Sequence, residues 1–333
     1  MSVVAHDART TGVDFGRPLT RALLRPELPA LVFLAALVVV FSATAHGFLA
    51  TANLEQILEQ VSIIGIIALG LNQVILAADI DVSLGSALAV CAASAASVAN
   101  HHGGLLLPLL TALGVGAAIG LVNGLLTTVA RIPSIIVTLG MLNILRGLES
   151  VYNAIGIPAV PDATRKLGSG SVLGLNVSMV VLLVVFAAIL LLSRHTRWGR
   201  ELPAIGGNRF AARFAGLSVD RARLLAFVLV GVCTGIAAMV YLGQVGAVQS
   251  NAATGLELQI IAAVVIGGTS ISGGRGSVVA ALAGALLIGT MLNGMNLLGI
   301  VERWQNVFTG GVILLAVASD VVRRRILARM VAS

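Results

Sequence analysis

The sequence predicts an all-α polytopic membrane protein with about ten transmembrane helices and both termini in the cytoplasm. Three observations carry that prediction. Of 333 residues, 58% are hydrophobic, and 38 glycines raise the apolar share to about 69%, well above the roughly 45–50% of soluble domains. Only 21 basic and 14 acidic residues are present, 11% charged where soluble chains carry roughly 25%. The apolar runs are continuous and rich in Leu, Ala and Val, the pattern of helices rather than of barrel strands that alternate lipid-facing and lumen-facing side chains.

A net charge of +7 in a soluble protein would point to nucleic acid, but aromatic residues make up only 4% and the basic residues sit beside apolar runs. The charge reads as membrane topology, and nucleic acid is excluded as a partner. Cys91 and Cys233 lie far apart within apolar segments, without the spacing of a zinc site, and read as small buried hydrophobes.

A window of about 19 residues places spans near 28–47, 61–78, 82–99, 105–129, 134–152, 175–193, 224–243, 258–270, 277–296 and 304–322. With the N-terminus inside, 17 basic residues fall on the cytoplasmic side: Arg9, Arg17, Arg21, Arg25, Arg131, seven from Arg194 to Arg223, Arg275, Arg323, Arg324, Arg325 and Arg329. Only Arg165, Lys166 and Arg303 fall outside, and Arg146 lies within span five. This asymmetry follows the positive-inside rule. It divides the chain into a cytoplasmic segment 1–27, a transmembrane domain 28–322 with a cytoplasmic loop at 194–223, and a basic tail 323–333. A second reading makes residues 1–45 a secretory leader ending at Ala43-Thr44-Ala45, and leaves the later spans in the same orientation.

Between the first two spans, Leu54, Ile57, Leu58 and Val61 opposite Glu55, Glu59 and Gln60 predict a short helix lying in the outer interface. Asn123-Gly124 in span four and Asn293-Gly294 in span nine lie five spans apart in opposite directions, as an inverted five-plus-five repeat requires.

The inside loop from Arg194 to Arg223 is the longest soluble stretch. Asn208 can cap a helix starting at Arg209, with Phe210, Ala211, Phe214 and Ala215 along one side, Arg209 and Arg213 on another, and Gly216 ending it. So short a helix needs a supporting surface: a partner protein, or the lipid headgroups. Gly267, Gly268, Gly273, Gly274 and Gly276 interrupt a helix and free backbone groups that lipid cannot satisfy. They form either a plain turn or the wall of a gate.

Asp79 and Asp81 are costly if buried in the membrane. They read either as solvated turn residues, with Asp81 or Ser83 capping the third span, or as groups carried into a cavity. Arg146 and Glu149, at i and i+3, are positioned to pair. Asn72, Gln73, Asn123, Asn143, Asn293 and Asn296 either hold helices together or line a path for a polyol. His46, His101, His102 and His195 lie at span ends without a carboxylate at useful spacing, so nothing marks an enzyme.

Three blocks, ADIDVSLGSALAV at 78–90, AIGGNRFAARFAGL at 204–217 and the glycine-rich stretch 255–300, make the chain resemble the permease subunits of ribose-type bacterial ABC sugar importers. The resemblance implies a bacterial inner-membrane protein moving a small neutral sugar or sugar-like solute by alternating access. It implies that Gly206, Gly207, Asn208, Arg209, Ala211, Ala212, Arg213 and Gly216 form a coupling helix for a cytoplasmic ABC ATPase. A periplasmic or extracellular sugar-binding protein and a second permease copy, or a related chain, complete the implied assembly. Candidates for the path or gate are Asp79, Asp81, Asn72, Asn123, Asn293, Gly267, Gly268, Gly273 and Gly274.

The chain has no G-x-x-x-x-G-K-[ST] phosphate loop, and its single lysine, Lys166, lies in KLGS, so ATP and Mg belong to the partner. At the start of span five, where many ribose-type members read Pro-Phe after an Asn, this chain has Arg131-Ile132-Pro133-Ser134, which leaves the particular sugar open. The competing class is an ion-coupled secondary transporter, which would need intramembrane acids that the spans hardly offer.

Overall fold

The computed structural model describes residues 28–318 apart from 153–155, 158, 173, 302, 316 and 317. The expected segment 1–27 and tail 323–333 lie outside the described residues. The helices are α1 (Leu28–Thr44), α2 (Thr51–Leu76), α3 (Leu84–His102), α4 (Leu106–Thr128), α5 (Ser134–Tyr152), α6 (Asp162–Ser169), α7 (Val177–His195), α8 (Arg197–Gly207), α9 (Arg209–Phe214), α10 (Val219–Val245), α11 (Leu256–Ile266) and α12 (Val278–Leu297). A small antiparallel hairpin, β1 (Ser171–Val172) with β2 (Leu175–Asn176), precedes α7, and residues 303–315 are again helical.

All ten predicted stretches contain helix, and among the described residues seven of these helices (α2, α3, α4, α5, α7, α10 and α12) are long and apolar enough to cross a membrane. Two further apolar helices are shorter. α1 has 17 residues, and α11 stops after 11 because Gly267 and Gly268 follow it. The expected interfacial helix at 51–61 is not a separate element: nothing there breaks the backbone, and α2 runs unbroken for 26 residues. Within it, the Glu59 carboxylate accepts the Asn176 side-chain amide.

α2 is the centre of the bundle. Every residue from Ile64 to Leu76 is buried, so this helix is apolar all round because protein surrounds it. α10 and α12 pack on it, whereas α5 and α7 turn most of their surface outward. α4 and α10 approach backbone to backbone through small residues at four-residue spacing, Gly116, Gly120 and Gly124 against Gly231 and Gly235. A Cβ on Gly116 would fall on the Gly231 carbonyl oxygen, and one on Gly231 on that of Gly116. Lipid offers no hydrophobic drive for helix pairing, so dispersion contacts at this close range do the work.

The loops sort into two ends. Residues 78–80, 131–135, Arg209, Phe210, Arg213, Val219, Asp220 and Ile271, each in or beside a connection that the arginine count places on one side, line a common cavity. At the other end, Ile157 bridges Val248, and Gln244 donates to the Glu59 carbonyl and the Ser178 hydroxyl. The glycine cluster forms a turn at the arginine-rich end, with Gly273 and Gly274 in left-handed backbone at φ +82° and +76°. That turn is a three-way seam. The Gly274 amide donates to the Leu76 carbonyl at 3.0 Å, and Gly206 at the end of α8 lies so close that a Cβ there would fall on the same oxygen.

Two outcomes follow from these close approaches. Gly231→Leu cannot be seated against α4 and lowers stability by about 3 kcal/mol, read as loss of monodisperse protein on heating in detergent. Gly206→Ala lowers the melting temperature of the purified protein, whereas Gly207→Ala leaves it unchanged, because nothing lies within 4 Å of a Cβ on Gly207.

Candidate functional site

The surface element at the arginine-rich end is built from two consecutive short helices. Thr196 caps α8 by accepting the Gly199 amide at 3.1 Å, and Leu202 and Ile205 anchor the helix with no exposed surface. The indole of Trp198 donates to the Ala222 carbonyl at 3.0 Å, tying α8 to the first turn of α10. Asn208 then ends α8 in extended backbone and caps α9, its side-chain oxygen accepting the Ala211 amide at 2.9 Å. Gly216, at φ +79°, closes the segment.

α9 faces two ways. Ala212 is buried, while Gly207, Asn208, Ala211 and Arg213 are exposed. Phe210 and Phe214 are 73% and 77% exposed, packed edge to face with ring centroids 4.6 Å apart. Two exposed aromatic rings on a helix braced from below form a surface poorly suited to remain uncovered.

Behind α9 lies a charged network. Asp79, 3% exposed, accepts Arg223 Nε at 2.7 Å and Nη2 at 2.9 Å in a bidentate pair, and Arg209 Nη2 at 3.0 Å. Arg209 also donates to the Ala77 and Ala78 carbonyls at 2.9 and 2.7 Å, satisfying acceptors that the end of α2 leaves open. Arg213 meets Asp220 at 2.7 Å, and Arg223 Nη1 lies 3.8 Å from the same carboxylate. A cavity of about 710 Å³ opens beside this network, with Arg131 and Ser134 on its far wall.

The expectation that Asp79 and Asp81 are solvated turn residues is therefore corrected. Asp81 is 2% exposed, with one carboxylate oxygen accepting the Ser83 amide and hydroxyl at 2.8 and 2.6 Å and the other accepting Asn123 at 3.3 Å. Ser83 is bound inward and does not cap α3 with its side chain. Burial pushes the Asp81 carboxyl above its ordinary value, against the pull of the Ser83 and Asn123 hydrogen bonds.

The remaining candidates do not form one constellation. Asn72 accepts the Thr269 hydroxyl at 2.7 Å and so joins α2 to the turn after α11, and Asn123 joins α4 to the α2–α3 connection. Both hold helices together. Asn293 is buried near the C-terminal end of α12, away from the glycine turn at Gly267, Gly268, Gly273 and Gly274. Arg146 and Glu149 both reach the connection after α10: Arg146 donates to the Ala252 carbonyl at 2.7 Å, and Glu149 accepts the Asn251 amide at 3.0 Å.

Two residues of the site carry no signal that singled them out in the sequence, whereas Trp198, like Pro203, reads from the sequence as a residue that fixes the approach of the loop helix. Arg223 counted only toward topology, although a buried aspartate demands a cation and Arg223 stands at the mouth of an apolar run. Thr196 is legible only as a loop residue, because α8 includes Pro203 and two terminal glycines.

A family model described as "Branched-chain amino acid transport system / permease component" matches residues 53–317. The ribose import permease protein RbsC of Escherichia coli strain K12 is 38% identical over 317 residues, 93% of this chain and 98% of that protein. The L-arabinose ABC transporter permease protein AraH of Azospirillum brasilense is 34% identical over 284 residues, 85% of this chain and 84% of that protein. The autoinducer 2 import system permease protein LsrC of Enterobacter sp. strain 638 is 36% identical over 293 residues, 87% and 85% of the two chains. No solved structure matches. With a family model over most of its length and relatives matched nearly end to end, the chain belongs to this family of transport-system permease components.

Proposed function

We propose that the protein is the membrane-spanning subunit of an ATP-driven importer in the bacterial inner membrane, carrying a small neutral sugar or sugar-like solute into the cytoplasm by alternating access. The observation that carries this reading is α9 itself. It is an exposed, aromatic-tipped helix, braced by Asn208 and by the end of α2, on a chain similar over nearly its whole length to import permeases. The exposed side of α9 is the docking face for a cytoplasmic ABC ATPase, which holds ATP and Mg. An external sugar-binding protein delivers the solute to the opposite end. The spans number ten, with both ends of the chain cytoplasmic.

The relatives named for ribose, L-arabinose and autoinducer 2 favour a small polyhydroxylated cargo over the branched-chain amino acids of the family description. The scarcity of charge along the spans supports a neutral solute, since an amino acid would need counter-charges along its path. α5 turns Asn143 and Gly147 outward among Leu139, Ile144 and Leu148. An exposed amide and a small residue on an otherwise apolar face fit a second permease copy, with the solute path between the two.

Vesicle reconstitution tests the reading. Ribose or a related pentose, presented with a sugar-binding protein, is expected to enter only when the ATPase subunit and ATP are present. Uptake driven by an ion gradient without an ATPase would overturn the assignment. Gly207→Arg and Ala211→Glu, both at outward positions, are expected to abolish ATPase association while the permease stays inserted and folded; normal association would remove α9 as the docking face.

A further inference from the structure

Asp79 is the point where three elements meet. It sits in the α2–α3 connection, receives Arg209 from α9 and receives Arg223 from the first turns of α10. Arg209 joins α9 to the end of α2 a second time through the Ala77 and Ala78 carbonyls. The surroundings make this junction stiff on one side and open on the other. The stiff side is the seam of Gly206, Leu76 and Gly274, in which α8, α2 and the glycine turn touch backbone to backbone. The open side is the cavity of about 710 Å³ between α9 and the α4–α5 connection. A force on α9 therefore has room to move it in one direction, and the groups that move with it are those bonded to Arg209.

We infer that Asp79 is a positioning residue that passes displacement of α9 to the α2–α3 connection and to α10, so that it couples ATP use to solute movement without touching either. The inference rests on the permease reading above. Its chemistry is specific. A carboxylate with two oxygens accepts the forked guanidinium of Arg223 and still holds Arg209, so both helices stay attached to one buried anion while its geometry shifts. A buried pair of this kind is a poor source of stability but a good register device, because sliding the buried Arg223 away would strip Asp79 of its bidentate partner. The adjacent Asp81 is bound to Ser83 and Asn123, so the same seven-residue connection is fixed at its other end to α3 and α4. Motion entering at Asp79 reaches the interior and is not lost in a slack loop.

The test measures solute taken up per ATP hydrolysed by the reconstituted full assembly, comparing wild type with Asp79→Asn, Asp79→Glu and Arg209→Gln. Asp79→Asn is expected to assemble with the ATPase and hydrolyse ATP while uptake per ATP falls about fivefold or more, the lower end of typical coupling between sites. Asp79→Glu, which keeps the charge, is expected to recover part of that loss. Arg209→Gln leaves the Asp79–Arg223 pair intact and carries the test even if Asp79→Asn fails to fold; it is expected to show the same loss of uptake per ATP. A wild-type ratio in Arg209→Gln, or in an assembled Asp79→Asn, would overturn the inference. Failure of the wild-type permease to give any ATP-dependent uptake would instead overturn the permease reading.

Discussion

In a bilayer no water is at hand to satisfy backbone groups, and the architecture follows from that constraint. Each place where a helix stops inside the bundle has to hand its free amides and carbonyls to protein. The end of α2 shows how: the Leu76 carbonyl takes the Gly274 amide, and the Ala77 and Ala78 carbonyls take Arg209. The glycines at 206 and 273–274 are there because only backbone without a Cβ lets three chain ends come close enough to satisfy one another. The same economy of space joins α4 to α10 through facing glycines, so the rigid parts of the molecule are those where backbone meets backbone.

Charge obeys the same constraint. A carboxylate away from water is tolerated only when its partners come with it. Asp79 has two arginines and Asp81 has a hydroxyl and two N–H donors, and each partner belongs to or borders another helix. The cost of burying these acids thus becomes a set of fixed distances among α2, α3, α4, α9 and α10. In a transport protein such fixed distances matter more than their net stability, because they determine which elements move together.

The surface helix and the buried network are two faces of one structure. α9 has six residues, too few to be stable alone, and it is held by its Asn208 cap, by Ala212 against the bundle and by Arg209 reaching the end of α2. A helix so firmly mounted, with Phe210 and Phe214 left outward, is suited to take a load from a partner and pass it inward.

Continuous apolar runs favour helix, so the sequence alone determined where the apolar helices run, the common end of the arginine-bearing loops and the Asn208 cap of α9. Periodicity and capping are local properties, and local properties survive into the fold. Whether Asp79 and Asp81 meet solvent or protein, whether residues 51–61 form their own helix, and which glycines make contacts are different matters. Each depends on residues distant in the chain or on continuity with a neighbouring span: Arg223 for Asp79, Asn123 for Asp81, Leu76 for Gly206, Gly231 for Gly116. A single strand of sequence carries no distance between such positions, and only the packing of helices around α2 decided them.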